Sequence, residues 1–478
     1  MTGIRPLWIA GAAVPGTGSV LPVTSPWDGR IVDTVGMAGP EQVQEAVQAA
    51  AKVAPELAAL PAYQRADALL HVSQRIGHRQ NELASLLTAE SGKPIRWARA
   101  EVARARSTFR WAAEEARRWA GDLQRLDTEP AGTGRLALTR RVPRGPVLAI
   151  SPFNFPLNLV AHKVAPALAV GAPVVVKPAP ATPLSALALG EILAETDLPA
   201  GACSVVVVDN DRAADLVADP RLPVVSFTGS GPVGWAIRDA VPRKHVVLEL
   251  GGNAAAIIAP DWPDLAGAAG RIATFAMYQA GQSCIAVQRV LVPAERYEDA
   301  VEQITAAVAA LRTGDPADAA TEVGPLISQD AAARVDTWVA SAVEAGAVLH
   351  IGGRHTGASY QPTVLTDVPR DNPVWCEEVF GPVLAIAPYR HLEDAFAEVN
   401  SSRYGLQAGV FTRDLTTAFR AHRDLAVGGV VIGDVPSYRA EQMAYGGIKD
   451  SGLGREGVAA AMTDLTDTRV LVLTGLDL

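Results

Sequence analysis

Only three cysteines occur in 478 residues, too few for a disulfide framework, which excludes the small secreted scaffold classes and suits a chain kept reduced in the cytoplasm. A basic excess is also missing. Lys and Arg number 42 against 51 Asp and Glu, for a formal charge of −9, and the basic residues are dispersed, so no nucleic-acid partner is expected. Long apolar runs are absent: the richest stretch, Leu157–Val176, is broken by His162, Lys163 and two prolines, which argues against a membrane span. The N-terminus shows no basic segment leading into a sustained apolar one, so no secretory signal is expected. No internal repeat, low-complexity linker or metal-ligand spacing appears, and no metal is expected. What remains is a globular, enzyme-sized chain, 49% hydrophobic, long enough for two or three domains.

Residues 1–35 are punctuated by Gly and Pro and read as an extended leader laid against the body. Helical periodicity dominates from Pro40 to Gly121, broken at Ser91-Gly92-Lys93-Pro94 before a long last helix. Leu136–Val142 alternates as a strand or hairpin arm. A regular strand–helix series follows, with apolar strands at 146–150, 173–177, 204–208, 223–227 and 246–250. That alternation predicts a parallel, doubly wound α/β sheet, a fold that binds ligands at the carboxyl ends of its strands. After Pro260 a second α/β unit runs to about Gly457, with strands near 289–293, 347–351, 383–387 and 429–432. A last strand, Thr468–Thr474, needs a sheet to join: the 136–142 arm or a partner subunit.

Gly281-Gln282-Ser283-Cys284-Ile285-Ala286 places a cysteine in a small, Gly-containing loop between a helical run and an apolar strand. Cys284 reads as a nucleophile once its thiol is activated, or as a buried apolar thiol. Gly229-Ser230-Gly231-x-x-Gly234 lies between a strand and a helix, the setting in which backbone amides and a helix N-terminus face a pyrophosphate. Glu249, at a buried strand end, suits a ribose clamp, a general base with raised pKa, or a cap. Asn154, in Pro152-Phe153-Asn154-Phe155-Pro156, suits an oxyanion donor or a turn.

These motifs, with Lys177-Pro178, Glu378-Val379-Phe380-Gly381-Pro382 and Tyr445-Gly446-Gly447 through Arg455-Glu456, make the chain resemble an NAD(P)-dependent aldehyde dehydrogenase over essentially its whole length. The resemblance implies a Rossmann-type cofactor-binding domain (1–124 and 144–252), an α/β catalytic domain (253–457) and a small β oligomerisation arm (125–143 and 458–478). It implies a homodimer or homotetramer, and NAD or NADP as cofactor. Cys284 would attack the aldehyde, Asn154 and the Cys284 N–H would hold the oxyanion, and Glu249 would activate the water that hydrolyses a thioester. Lys177 would reach the adenosine ribose, Gly229 and Ser230 the pyrophosphate, and Glu378 the nicotinamide ribose, with Phe380 beside the nicotinamide. Glu249 favours release of a free acid over transfer to coenzyme A. The rival reading is a catalytically idle nucleotide-binding or structural protein that has kept the fold.

The chain departs from the family's common pattern at three places. Pro180 stands where NAD-preferring members often carry a glutamate, which leaves NAD against NADP open. His162 stands where many members place a tunnel aromatic, and reads as a core residue or as part of a more polar tunnel. Arg439 falls in the substrate-contact loop, as a surface residue or as a reader of an anionic group. His162 and Arg439 together point to a short, polar and, through Arg439, anionic aldehyde of the lactaldehyde, glyceraldehyde-phosphate or sulfoacetaldehyde kind.

Overall fold

The computed structural model describes residues 3–477, and the architecture is α/β, built on two large mixed sheets. The first sheet runs, edge to edge, through Ala12–Val14, Leu7–Ile9, Cys203–Val205, Val174–Lys177, Val147–Ile150, Val224–Thr228, His245–Glu249 and Gly452–Leu453. Its five central strands are parallel, as apolar runs alternating with helices dictate. The chain enters at Val147–Ile150, builds outward on one side, then crosses to Val224–Thr228 on the other. That reversal opens a crevice at the carboxyl ends of these two strands, the place where such sheets take ligands. Asn154 follows one strand and Gly229 the other.

The leader joins the body as expected: Leu7–Ile9 pairs antiparallel with Cys203–Val205 at the sheet edge. Gly92, in the left-handed conformation, ends the helix Gln80–Ser91, and Pro94 precedes the long helix Ile95–Arg118. The helix Asn158–Val170 after the Asn154 loop is buried on every face.

The second sheet has the order Val348–Ile351, Thr363–Thr366, Val383–Tyr389, Arg289–Pro293, Ala255–Ile258, Gln407–Phe411, Gly429–Ile432, parallel except for its first strand. Sequence patterning did not reveal Ala255–Ile258, Thr363–Thr366 or Gln407–Phe411. Each is short and wholly buried, so no alternation marks it. Each sheet carries its own hydrophobic core.

Thr466–Thr474 pairs antiparallel with Arg135–Pro143 over nine residue pairs, and Leu123–Arg125 completes a three-stranded arm. The helix Val458–Asp464 packs its Val458 and Met462 into the first core, so only the strand from Thr466 belongs to the arm sheet.

Candidate active site

Segments far apart in sequence converge on one cavity of about 470 Å³ in the crevice. Cys284, Glu249 and Asn154 line it, as do Gly229 and Ser230 on one side and Glu378 and Phe380 on another. Arg439 lines it too. Lys177 ends its strand beside the crevice and is not in the cavity wall.

The Cys284 loop is held in an unusual backbone. After the helix Leu265–Met277, Gln279, Ala280 and Gly281 are all left-handed, with φ of 53°, 55° and 71°. Such a conformation costs a non-glycine residue about 1–2 kcal/mol, and a run of it persists only where the surroundings impose it. Here the Gln279 side chain donates to the Asn154 carbonyl, and Gln282 accepts from the Ile327 N–H at 2.9 Å and donates to the Gln279 carbonyl at 3.1 Å. Gly281 is required sterically: a Cβ there would lie 2.0 Å from the Gly381 carbonyl oxygen. Gly252 likewise lets the Cys284 carbonyl come within 2.2 Å of where a Cβ would be. The motif glycines thus hold the loops carrying Cys284 and Glu249 against each other.

Asn154 is buried, and its Nδ2 donates to the Gln282 carbonyl at 3.0 Å. An amide nitrogen carries two hydrogens, so one remains for a ligand in the cavity. Cys284 Sγ lies 3.1 Å from the Tyr445 phenol oxygen. Burial pushes the thiol up to about 12, and the Tyr445 contact opposes that rise. Glu249 is buried, and neither of its carboxylate oxygens has a hydrogen-bond partner. Burial and then the negative charge of Glu456 raise it well above the usual carboxylate range.

Two buried carboxylates act as anchors: Glu456, which lines the cavity, and Glu441, which does not. Glu456 accepts from Lys163 at 3.1 Å and from Arg439 at 2.9 Å; these two cations outweigh its burial and bring it down to about 2. Glu441 accepts from Arg104 at 2.6 Å and hydrogen-bonds His162. Those contacts hold it below the ordinary range despite burial. His162 is itself lowered by burial and then by Arg439, and its Nε2–H donates to the Glu441 carboxylate.

His162 is a buried residue of the core. Its ring lies outside the cavity wall, fully buried, facing Glu441 and a small rear space next to Lys163 and Glu456. Arg439 is not a surface residue: its side chain is 6% exposed, paired with Glu456, and stacked 4.0 Å from the Tyr445 ring centroid. A second guanidinium, Arg104, lines the same cavity at 31% exposure. Sequence reasoning missed Arg104, because nothing separates it from the other arginines of its helix.

The cradle for a dinucleotide fits. Val224–Thr228 feeds the helix Gly231–Ala240 with Ser230 at its N-cap, and a Cβ on Gly231 would meet open space. Lys177 donates to Asn210 at 2.9 Å, and burial lowers it to about 8. Glu378 accepts from the Gly252 N–H at 2.9 Å, and burial pushes it up to about 7. Phe380 packs edge-on against Phe153, ring centroids 5.9 Å apart. Among the described residues no cluster of three or more His, Cys, Asp or Glu side chains could hold a metal, and no helix is long and apolar enough to cross a membrane.

Residues 13–471 match the aldehyde dehydrogenase family. The 3-sulfolactaldehyde dehydrogenase of Priestia aryabhattai is 43% identical over 412 residues, 86% of each chain. The crystal structure of aldehyde dehydrogenase 21 from Physcomitrella patens, in complex with the reaction product succinate, superposes with a TM-score of 0.98 at 43% identity, covering 100% of this chain and 99% of that one. The glyceraldehyde-3-phosphate dehydrogenase GapN of Methanocaldococcus jannaschii, complexed with NADP, gives a TM-score of 0.90 at 34% identity, covering 95% and 99%.

Proposed function

Since the chain belongs to the aldehyde dehydrogenase family and oxidises an aldehyde with NAD(P), we propose that its substrate is a short aldehyde bearing an anionic group at its far end. The observation that carries this reading is the pair of guanidinium groups, Arg104 and Arg439, in the wall of the cavity that holds Cys284. Each is tethered through one nitrogen to a buried glutamate, Glu441 or Glu456, and its other nitrogens make no hydrogen bond among the described residues. Two anchored forks with spare donors suit a sulfonate, phosphate or carboxylate. The relatives' names agree in kind: sulfolactaldehyde carries a sulfonate, glyceraldehyde-3-phosphate a phosphate, and succinate a second carboxylate.

In this reading the first sheet body is the cofactor-binding domain, the second the catalytic domain, and the three-stranded sheet an oligomerisation arm. Lys177, Gly229, Ser230, Glu378 and Phe380 would hold NAD(P), which when bound would supply the hydride acceptor. Cys284 Sγ bonds the aldehyde carbon. The charge arriving on the aldehyde oxygen is met by the free Asn154 N–H and the Cys284 backbone N–H. Oxidation leaves a thioester on Cys284. Glu249 takes a proton from water, which attacks that thioester and releases a carboxylic acid. The carboxylate starts unpartnered and partly desolvated, which makes it a stronger base than an exposed one.

Assembly into a homo-oligomer belongs to the same reading. Val470, Leu471 and Val472 on the strand Thr466–Thr474 are half exposed, an apolar edge that a second copy would cover. Three free cysteines with no disulfide accord with a cytoplasmic setting.

The experiment is a kcat/KM ratio. Arg104→Met should lower kcat/KM for an anionic aldehyde by about 30-fold or more while a neutral aldehyde of similar size changes by no more than about threefold; Arg439→Ala, which also removes a cation facing Cys284, should slow both but cost the anionic aldehyde at least about tenfold more than the neutral one. Equal losses on both substrates, or a wild-type preference for decanal or benzaldehyde, would overturn the substrate assignment.

A further inference from the structure

We propose that Tyr445 is a further catalytic residue: its phenol donates a hydrogen bond to the sulfur of Cys284, favouring the thiolate and holding it in place until an aldehyde enters. The inference rests on Cys284 being the nucleophile. Its starting point is the company the sulfur keeps. Cys284 packs against a small apolar cluster of Ile285, Leu406 and Tyr445, so little else can solvate a developing charge. Among the described residues the Tyr445 hydroxyl, 3.1 Å away, is the sole hydrogen-bond partner of Sγ.

The phenol is fixed from behind. The Tyr445 backbone N–H donates to the Glu456 carbonyl at 2.9 Å, and the Glu456 N–H returns a bond to the Tyr445 carbonyl at 2.7 Å. The Glu456 carboxylate in turn holds Arg439 over the Tyr445 ring at 4.0 Å. A cation on the ring face draws electron density from the ring and makes its O–H a better donor. The ring and its hydroxyl are thereby set before substrate arrives, which is what preorganised stabilisation of a charge requires.

Charge balance settles the direction of the bond. Once the thiol proton leaves to solvent through the open cavity, sulfur can only accept. The phenol remains protonated because burial holds it well above its ordinary range. The other groups facing Cys284 divide: Glu378 and Glu249 oppose ionisation, while Arg439 favours it. Tyr278 faces it too, but its hydroxyl is already committed to Ser283 at 2.6 Å. Among the described residues Tyr445 is thus the one group that reaches the sulfur with a proton to share. A charge-assisted bond of this kind is about twice as strong as a neutral one.

The test reads the thiol itself, without cofactor or turnover. Rates of iodoacetamide alkylation are measured against pH on wild type and Tyr445→Phe, with labelling of the Cys284 peptide followed by mass spectrometry so that Cys203 and Cys376 do not contribute. Tyr445→Phe should move the alkylation midpoint up by about one pH unit, a roughly tenfold slower reaction at any pH below both midpoints. A superimposable or downward-shifted profile would overturn the proposal. Should Tyr445→Phe fail to fold, 3-fluorotyrosine placed at position 445, a stronger hydrogen-bond donor of the same shape, should move the midpoint down; no movement or an upward one would overturn it equally. A Cys284→Ser control keeps the underlying assignment separate. Aldehyde turnover surviving that change would remove Cys284 as nucleophile, whereas an unmoved profile on a Cys284 essential for turnover would remove only Tyr445.

Discussion

Replacing Asn154 by alanine separates two quantities that the structure assigns to two hydrogens on one nitrogen. The hydrogen on the Gln282 carbonyl, 3.0 Å away, is structural: Gln282 is buried, and losing its donor leaves a carbonyl unpaired at a cost of about 1–3 kcal/mol of stability. The second hydrogen has no acceptor among the described residues, and Asn154 lines the cavity that holds Cys284. If it meets the oxyanion, its removal costs about 2.7–4 kcal/mol at the transition state, or roughly 100- to 1,000-fold in kcat. The two losses are read independently. Urea unfolding gives the first. Initial rates of NAD(P)H formation, normalised to active sites titrated by alkylation of Cys284, give the second. Asn154→Asp, which keeps the shape and removes the donor, should be slowed at least as much as Asn154→Ala. A stability loss of the expected size with kcat per titrated site within about fivefold of wild type would refute the oxyanion role and leave Asn154 as a loop clamp.

Glu249→Gln should acylate but stall, giving a burst of about one NAD(P)H per site and a thioester on Cys284 detectable by intact mass; turnover at the wild-type rate would return Glu249 to a capping role. Because burial and the Glu456 charge raise the Glu249 carboxyl, its basic form exists only above that raised value. Deacylation should therefore fail as pH falls, on a limb well above the ordinary carboxylate range, and Glu456→Gln should move that limb to lower pH by removing the neighbouring negative charge. A limb unmoved in Glu456→Gln would mean that a different group is titrating. Val470→Asp with Val472→Asp, both on the exposed strand of the arm, should shift a homo-oligomer toward monomer by light scattering at micromolar concentration, and an unchanged mass would place the interface elsewhere.

Backbone chemistry accounts for most of what was legible in the sequence. Gly281 and Gly252 are there because another chain segment comes within van der Waals distance, and such glycines single out Cys284 and Glu249 as candidates in the local pattern, while their roles came only with the family resemblance. The parallel strands of the first sheet showed for the same reason, as apolar runs bracketed by turns. Side-chain direction on buried helices was not legible. Asn158–Val170 is buried all round, so no polar stripe tells which way His162 points, and it faces Glu441 from a segment 279 residues away. Arg104 and Glu441 are 337 residues apart, and neither shows locally that it has a partner. The Tyr445 hydroxyl sits inside a recognisable motif, yet its contact with Cys284 exists only once two loops have met.

The arm sheet also sets an order of events during synthesis. The strand Arg135–Pro143 is made early, but the strand that covers its long edge, Thr466–Thr474, follows more than 300 residues later. At translation rates of about 5–20 residues per second, that edge waits roughly 15–60 seconds for its partner. Throughout that interval Leu136, Leu138 and Val142 lie on an unpaired template for stray β-pairing. Arg135, Arg140 and Arg141 on the same strand, with Arg144 just after it, put like charges on any two nascent copies that approach edge to edge. Among the described residues Arg135, Arg140 and Arg141 make no ion pair, while Arg144 pairs with Asp467 on the late-arriving strand. Like charges on that edge oppose edge-to-edge pairing of two copies, the role that charged residues on edge strands serve in general.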